Sequence, residues 1–98
     1  LILKVADLTL DTKKHEVARM GKIIDLTPKE YKLLFILLRS NGEALTRRQL
    51  LDAAWSPAFM EMNHELNVHM RYLRSKIDIP SLKPLIRTVR GVGYTLRE

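Results

Sequence analysis

The sequence predicts an α+β domain with a small N-terminal antiparallel sheet over residues 1–26, three helices and a C-terminal β-hairpin. Three observations carry this prediction: short apolar segments separated by polar turns at the start of the chain, helix signals in its middle, and a glycine-rich turn between two apolar segments at its end. A meander of short strands is too small to be stable alone, so we expect it to pack on the helices.

The first 26 residues contain three or four segments that are short and apolar enough to be strands. They cover residues 1–5, 8–10, 15–20 and 23–26. Polar residues at 11–14 and the Gly21-Lys22 pair suit the turns between them. We therefore expect an antiparallel meander.

The first helix, predicted over residues 28–40, begins with a strong local signal. Thr27 is the expected N-cap, Pro28 suits the first helical position, and Glu30 completes a capping box with Thr27. Tyr31 and Phe35 belong to the apolar face of this helix, and we expect both in the core.

The second and third helices are predicted over residues 47–55 and 64–78. Thr46 is the expected N-cap of the second helix, and Asn63 is that of the third. In the third helix, apolar residues recur at intervals of four, three and four positions, which places one narrow stripe along the helix. The stripe consists of Leu66, Met70, Leu73 and Ile77.

The face opposite that stripe carries polar groups that are suited to DNA. At about 100° per residue, the exposed side presents Arg, Asn and one branched aliphatic residue. Arg can read guanine, Asn can read adenine, and an apolar group can contact the thymine methyl. The same pattern also fits an ordinary amphipathic helix with a solvated polar face. The face comprises His64, Val68, Arg71, Tyr72 and Ser75, flanked by Asn67, Arg74, His69 and Lys76.

The final hairpin is predicted over residues 86–97, with its turn at Gly91-Val92-Gly93. Two consecutive helices followed by a hairpin is the order of a winged helix-turn-helix. In that architecture the second helix of the pair enters the major groove of DNA, and the hairpin lies beside it as the wing.

The net charge of +6 and the sequence pI of about 9.9 favour a polyanionic partner. Residues 1–49 hold ten Lys/Arg and six Asp/Glu, and residues 50–98 hold seven and five. The excess is therefore not a basic tail, and any basic surface must be assembled by folding.

We expect a cytoplasmic protein without membrane contact, because the sequence has no cysteine, no bilayer-length apolar segment and no recognisable signal peptide. We expect no metal, no cofactor and no enzymatic activity, because the histidines are not spaced with acids as metal ligands and no nucleophile or phosphate-binding glycine motif is present. Leu1 stands where an intact chain would begin with Met, so we expect a fragment of a longer protein.

Four segments, in order, resemble the C-terminal effector domain of bacterial response regulators of the OmpR/PhoB type. They are residues 26–31 (Leu-Thr-Pro-Lys-Glu-Tyr), 47–55, 68–76 and 88–94 (Thr-Val-Arg-Gly-Val-Gly-Tyr), and the last is the most distinctive. The resemblance implies a winged-helix domain that binds double-stranded DNA and follows a receiver domain phosphorylated by a sensor kinase. It also implies a weakly binding monomer that forms head-to-tail dimers on direct-repeat half-sites.

The resemblance and the helix face together define the expected DNA contacts. From the resemblance, Trp55, Thr88 and Tyr94 contact phosphates and Arg90 enters the minor groove. The base or groove contacts are Asn67, Val68, Arg71, Tyr72 and Arg90, and the phosphate contacts are Trp55, His64, His69, Arg74, Ser75, Thr88 and Tyr94.

Several of these assignments have structural alternatives. Trp55 could equally be a core residue, and His69 could lie on the flank of the helix with its hydrogen bonds made within the protein. Val68 could be covered by the loop before the third helix, and Arg90 could form a salt bridge with an acid. Two interpretations of the loop before the third helix remain open: contact with RNA polymerase, and packing over the domain as an apolar lid. The loop residues concerned are Phe59, Met60, Glu61 and Met62.

The sequence departs from the family pattern on the exposed face of the third helix described above, which we call the reading face. The family often has an acid where Asn67 stands and Arg where Tyr72 stands, so the base preference of a relative does not transfer. Ser56-Pro57 replaces a frequent glycine after the tryptophan. The alternative function is a winged helix that docks a protein partner through the same helix.

Overall fold

The computed structural model describes residues 1–55 and 63–98, with Asn63 described by its backbone alone. The chain forms two small sheets around three helices. In order, the elements are β1 (Ile2–Val5), β2 (Leu8–Asp11), β3 (Glu16–Arg19), β4 (Lys22–Ile24), α1 (Pro28–Arg39), β5 (Leu45–Thr46), α2 (Arg47–Ala54), α3 (Asn63–Ile77), β6 (Ile86–Val89) and β7 (Gly93–Leu96).

The N-terminal sheet is the expected meander, with strand order β1-β2-β3-β4 and antiparallel neighbours. Its side chains alternate between two faces, as the two-residue period of a strand requires. Leu8, Leu10 and Val17 are buried on the inner face. Leu10 pairs with Leu3 on one side and with Val17 on the other, so the inner face is apolar across three strands.

The predicted start of α1 is confirmed. The Glu30 amide donates to Thr27 Oγ1 at 3.3 Å, and the Thr27 amide donates to Glu30 Oε1 at 3.0 Å, which is a capping box with Pro28 at the first position. The prediction that Tyr31 and Phe35 are core residues is wrong, because both are only partly buried against the edge of the core.

The second helix has the expected N-cap at Thr46, whose hydroxyl accepts from the Gln49 amide at 3.0 Å. It ends at Ala54, and Trp55 is its C-cap rather than its last helical residue. The third helix is described from Asn63, one residue earlier than predicted, and the predicted N-cap contact of the Asn63 side chain lies outside the described residues.

The apolar stripe of α3 is confirmed, because each of its four residues is at most 1% exposed. These side chains enter the same core as the apolar faces of α1 and α2. The opposite side of α3 is thereby forced toward solvent. The buried stripe is Leu66, Met70, Leu73 and Ile77.

The C-terminal hairpin is part of a three-stranded sheet, with order β5-β7-β6. β5 was not predicted as a strand, and its second residue, Thr46, was predicted only as the N-cap of the second helix. Leu45 pairs with Tyr94, and Thr46 pairs with Gly93. The pairing is so close that a Cβ at Gly93 would lie 2.1 Å from the Leu45 carbonyl oxygen. Gly93 therefore lets β5 pair with the hairpin.

Two buried polar side chains, Arg19 and Glu30, fix α3 to the rest of the domain. Arg19 Nη1, from β3, donates to the Ile77 carbonyl at 2.6 Å at the C-terminal end of α3. Lys76 Nζ donates to Glu30 Oε1 at 2.6 Å and joins α3 to the start of α1.

Within the described residues, no helix has the length and apolarity that a membrane span requires.

Candidate nucleic-acid interface

The solvent-facing side of α3 carries most of the residues predicted to contact DNA. His64, Asn67, Arg71, Tyr72 and Ser75 are exposed, and the Tyr72 residue is 52% exposed. Val68, His69 and Arg74 are half-buried at the margins of this face. A helix of this width can enter the major groove of B-DNA with its exposed side chains toward the base edges.

The predicted base contacts Arg71 and Tyr72 are neighbours on this face. The Arg71 guanidinium carbon lies 5.9 Å from the Tyr72 ring centroid, at the outer limit of a cation–π contact. At an exposed site such a contact contributes little, so Arg71 can leave the ring for a stronger acceptor.

Ser75 is poorly suited to its predicted phosphate contact in this conformation. Its hydroxyl donates to the Tyr72 carbonyl at 2.7 Å. A phosphate oxygen only accepts hydrogen bonds, and a serine hydroxyl has a single proton, so a phosphate contact requires Ser75 to give up this bond.

His69 lies in a small cluster beside the helix. Its ring packs edge-on against Trp55, with 5.3 Å between ring centroids, and its Nε2 lies 3.8 Å from Glu65 Oε2. On the other side of the Trp55 ring, Lys29 Nζ lies 5.0 Å from the centroid and donates to the Ala54 carbonyl at 2.6 Å. These contacts place a lysine, an indole and an imidazole at one margin of the interface.

The position of Trp55 is compatible with both predictions for it, a core residue and a phosphate contact. The residue is 8% exposed and belongs to the core cluster. The indole nitrogen forms no hydrogen bond within the described residues, which contain no buried side-chain nitrogen or oxygen lacking a partner. The N–H group therefore reaches the surface from a largely buried ring, where it can donate to a phosphate.

The wing is joined to α3 by a side-chain hydrogen bond. Arg74 Nη1 donates to Thr88 Oγ1 on β6 at 3.0 Å. The hydroxyl proton of Thr88 is not consumed by this bond and remains available to a phosphate acceptor. Two of the predicted phosphate contacts, one on the helix and one on the wing, are thus held side by side.

The wing turn presents Arg90 and Val92 to solvent. The Val92 amide donates to the Val89 carbonyl at 3.0 Å, and Gly91 has φ of +76°, a conformation that favours glycine. Within the described parts of the chain, Arg90 has no ion pair or hydrogen bond through its side chain. Tyr94, in contrast, is 9% exposed and packs in the core cluster.

Arg47, the first residue of α2, lies at this interface but was not among the predicted contact residues. Arg47 Nη2 donates to Asn67 Oδ1 at 2.7 Å on the reading face. The backbone amide of Arg47 also donates to the Val92 carbonyl in the wing at 3.4 Å. The signal in the sequence was only a basic residue after an N-cap, which does not predict a contact with a residue 20 positions away.

Lys76, on the flank of the reading face, is held by an ion pair with Glu30. Burial of the Glu30 carboxyl would raise its pKa, but hydrogen bonds from Lys76 and Thr27 and the charge of Lys76 outweigh burial and lower that pKa. Glu30 is therefore a buried carboxylate that orients the end of α3. The predicted polymerase-contact residues Phe59, Met60, Glu61 and Met62 lie outside the described residues.

Comparison with known proteins identifies this architecture. Residues 21–96 match the family described as "Transcriptional regulatory protein, C terminal". The chain belongs to this family. The resemblance to the effector domains of OmpR/PhoB-type response regulators is thereby confirmed, and the family is one of transcription regulators rather than enzymes.

Relatives of known sequence extend well beyond this domain. The chain is 43% identical over 95 residues to the transcriptional regulatory protein TrcR of Mycobacterium tuberculosis, covering 97% of this chain and 37% of that protein. It spans 37–42% of the length of the first curated relatives it matches.

Two solved DNA-binding domains have the same winged-helix fold. The DNA-binding domain of CpxR from Escherichia coli matches with a TM-score of 0.85 and 28% identity, over 99% of this chain and 96% of that one. The RstA DNA-binding domain of Klebsiella pneumoniae, solved in complex with the RstA box, matches with a TM-score of 0.85 and 25% identity. The match covers 98% of this chain and 96% of that one. The predicted fold class is confirmed.

Proposed function

We propose that this domain binds double-stranded DNA sequence-specifically, as the output domain of a two-component transcriptional regulator. In this proposal α3 is the recognition helix in the major groove, and Arg90 of the wing enters the minor groove. The observation that carries the proposal is the hydrogen bond between Arg74 and Thr88, because it makes the exposed face of α3 and the wing one continuous surface. The DNA complex of the similar RstA domain supports the same class of partner.

The deciding experiment is a titration of the domain with duplexes selected from a random pool, at several salt concentrations. If one domain neutralises roughly five phosphates, log K should fall with log salt with a slope of about −4 to −5. A salt-independent affinity would contradict DNA binding and favour the protein-docking alternative, whereas salt-dependent binding without selection would contradict sequence specificity.

Arg71→Ala tests the recognition helix directly. Arg71 is exposed and lies off the buried stripe, so the variant should stay folded. Loss of a base contact should cost about 1–3 kcal/mol and relax the preference at one base pair. Lys13→Ala is the matched control, because it removes one exposed positive charge from the turn between β2 and β3. Equal losses in the two variants would leave Arg71 without a specific role.

Pairing of two domains on DNA is the next part of the proposal. The isolated domain binds as a weak monomer, and two copies bind direct-repeat half-sites spaced by about one helical turn, 10–11 bp. Inserting about half a turn, 5 bp, should remove cooperativity because it moves the half-sites to opposite faces of the duplex. Equal affinity for both spacings would mean that the domains bind independently.

In the full-length protein we expect an upstream receiver domain phosphorylated by a sensor kinase, in the bacterial cytoplasm where the DNA lies. The loop at 59–62 is proposed to contact RNA polymerase. Phe59→Ala should therefore keep the parent's affinity for a selected duplex and lower the recruitment of polymerase to it. Unchanged recruitment would assign this loop to packing.

A further inference from the structure

The hydrogen bond between Arg47 and Asn67 joins two elements at the reading face. Arg47 Nη2 lies 2.7 Å from Asn67 Oδ1. The backbone of Arg47 is itself fixed, because Thr46 and Gln49 form a capping box around it and its amide donates to the Val92 carbonyl at 3.4 Å. The guanidinium therefore approaches Asn67 from an anchored position.

Chemistry decides which way the Asn67 amide faces. A guanidinium has only hydrogen-bond donors, so it must meet the amide oxygen and not the amide nitrogen. The Nδ2–H₂ group of Asn67 is consequently directed away from Arg47 and is left as the polar group that the residue offers to other partners.

The guanidinium also changes what the amide can bind. A hydrogen bond accepted from a cation draws electron density toward Oδ1 and strengthens Nδ2–H as a donor. The positive charge of Arg47 beside Oδ1 repels donor groups on DNA, such as the amino groups of adenine N6 and cytosine N4. Adenine recognition by asparagine needs Oδ1 as an acceptor from N6, so Arg47 acts against it.

We infer that Arg47 is a positioning residue that sets the base specificity of Asn67, turning an asparagine that would read adenine into a donor that favours guanine. Guanine offers N7 and O6 as adjacent acceptors at its major-groove edge. The inference rests on the proposed function, because it assumes that the exposed face of α3 lies in the major groove.

The test is selection from a random pool of duplexes, with the preference at each base pair measured for the parent and three variants. Asn67→Ala first identifies the base pair that Asn67 reads, as the one whose preference is lost. At that base pair the parent should prefer guanine to adenine by about tenfold. Arg47→Met keeps an apolar stem at the first position of α2 and removes the donors; it should lose that preference or reverse it toward adenine.

Arg48→Met is the matched control. Arg48 is the exposed neighbour of Arg47 and carries the same charge. Its loss should weaken binding to all duplexes alike and keep the preference of the parent at every base pair. Thermal unfolding of each variant, which should match the parent, separates specificity from folding.

Three results would overturn the inference while the parent still binds DNA with its full salt dependence. The first is an Asn67→Ala variant with an unchanged preference at every base pair. The second is an Arg47→Met variant that loses affinity but keeps the guanine preference. The third is a parent that prefers adenine at the Asn67 base pair. Failure of the parent to select any duplex would instead overturn the proposed function itself.

Discussion

The recognition helix and the wing are held in the fold by different kinds of interaction. α3 is fixed mainly by side chains, because each residue of its apolar stripe is at most 1% exposed. In addition, Lys76 donates to the buried Glu30 carboxylate, and the buried Arg19 side chain donates to the Ile77 carbonyl. The strands of the wing also pack side chains, Ile86 and Leu96, in the core, but the turn at the tip of the wing is fixed by its backbone. Gly93 allows β5 to pair closely with β7, and the Val92 amide and carbonyl close the turn with Val89 and Arg47.

The candidate DNA-contact side chains of α3 and of the wing tip differ in whether they have partners within the protein. On α3, Asn67 is bonded by Arg47, and Arg74 is bonded to Thr88. At the wing tip, Arg90 is exposed and has no side-chain partner in the described parts of the chain. Asn67 and Arg74 are therefore held in place before DNA arrives, and a fixed Asn67 suits base readout. The wing offers a cation whose geometry can follow the local shape of the minor groove.

Removing a stripe residue should have the largest effect on stability. Leu73 is fully buried, so Leu73→Ala leaves a cavity and should lower the free energy of unfolding by about 2–5 kcal/mol. Tyr72→Ala, at the adjacent exposed position, should change it by no more than about 0.5 kcal/mol. Urea unfolding followed by circular dichroism measures both. If the two variants were equally stable, the packing of α3 described above would be wrong.

The two wing glycines should differ from each other. A Cβ at Gly93 would meet the Leu45 carbonyl at 2.1 Å, so Gly93→Ala should separate β5 from β7 and cost about 3 kcal/mol. Gly91 has open space around it and positive φ, so Gly91→Ala should cost only about 1 kcal/mol. Thermal unfolding of the two variants tests this order, and a less stable Gly91→Ala would show that turn conformation rather than strand pairing holds the wing.

The ion pair between Lys76 and Glu30 should contribute less than the stripe. The Glu30 side chain is 3% exposed, and Lys76→Met would leave its carboxylate without a cation. Because the lysine side chain is 36% exposed, we expect about 2 kcal/mol, less than for a fully buried pair. Lys83→Met, on the exposed connector before β6, is the control and should be close to neutral.

The same ion pair should make the free energy of unfolding depend on pH in the acidic range. The pKa of Glu30 is lower in the folded state than in the unfolded state, so its contribution is present above the unfolded pKa and is lost as pH falls through the folded pKa. Urea midpoints measured from pH 7 to pH 3 should therefore fall less steeply for Glu30→Gln than for the parent. Parallel curves would mean that Glu30 does not contribute to the acid response.

Changing the wing cation should have the smallest effect on stability. Arg90 has no partner in the described structure, so Arg90→Ala should leave the free energy of unfolding within about 0.5 kcal/mol of the parent. Its effect should appear on DNA, as weaker binding and a reduced preference for A/T-rich sequence flanking the site. Arg90→Lys should restore only part of the affinity and of the flanking preference, because an ammonium is more strongly hydrated than a guanidinium. Affinities for duplexes that differ only in the flank measure this, and equal discrimination by parent and Arg90→Ala would exclude minor-groove readout.

The sequence alone determined the features that depend on near neighbours along the chain. The capping box at Thr27, the N-cap at Thr46 and the stripe of α3 are local or periodic features, since helical partners lie three or four residues apart. The turn between β6 and β7 is equally local. The order of these elements, with the charge and the four family segments, was sufficient to predict the winged helix and its DNA partner.

Tertiary structure decided the rest, because those features depend on distances between elements rather than on spacing in the chain. A two-residue β5 has no periodic signal and becomes a strand only where β7 passes it. Tyr31 and Phe35 are apolar and on the expected face, but only the packed helices show that this part of the face lies at the edge of the core. The bonds that orient Asn67, Arg74 and Lys76 join residues 20, 14 and 46 positions apart, where sequence periodicity carries no information.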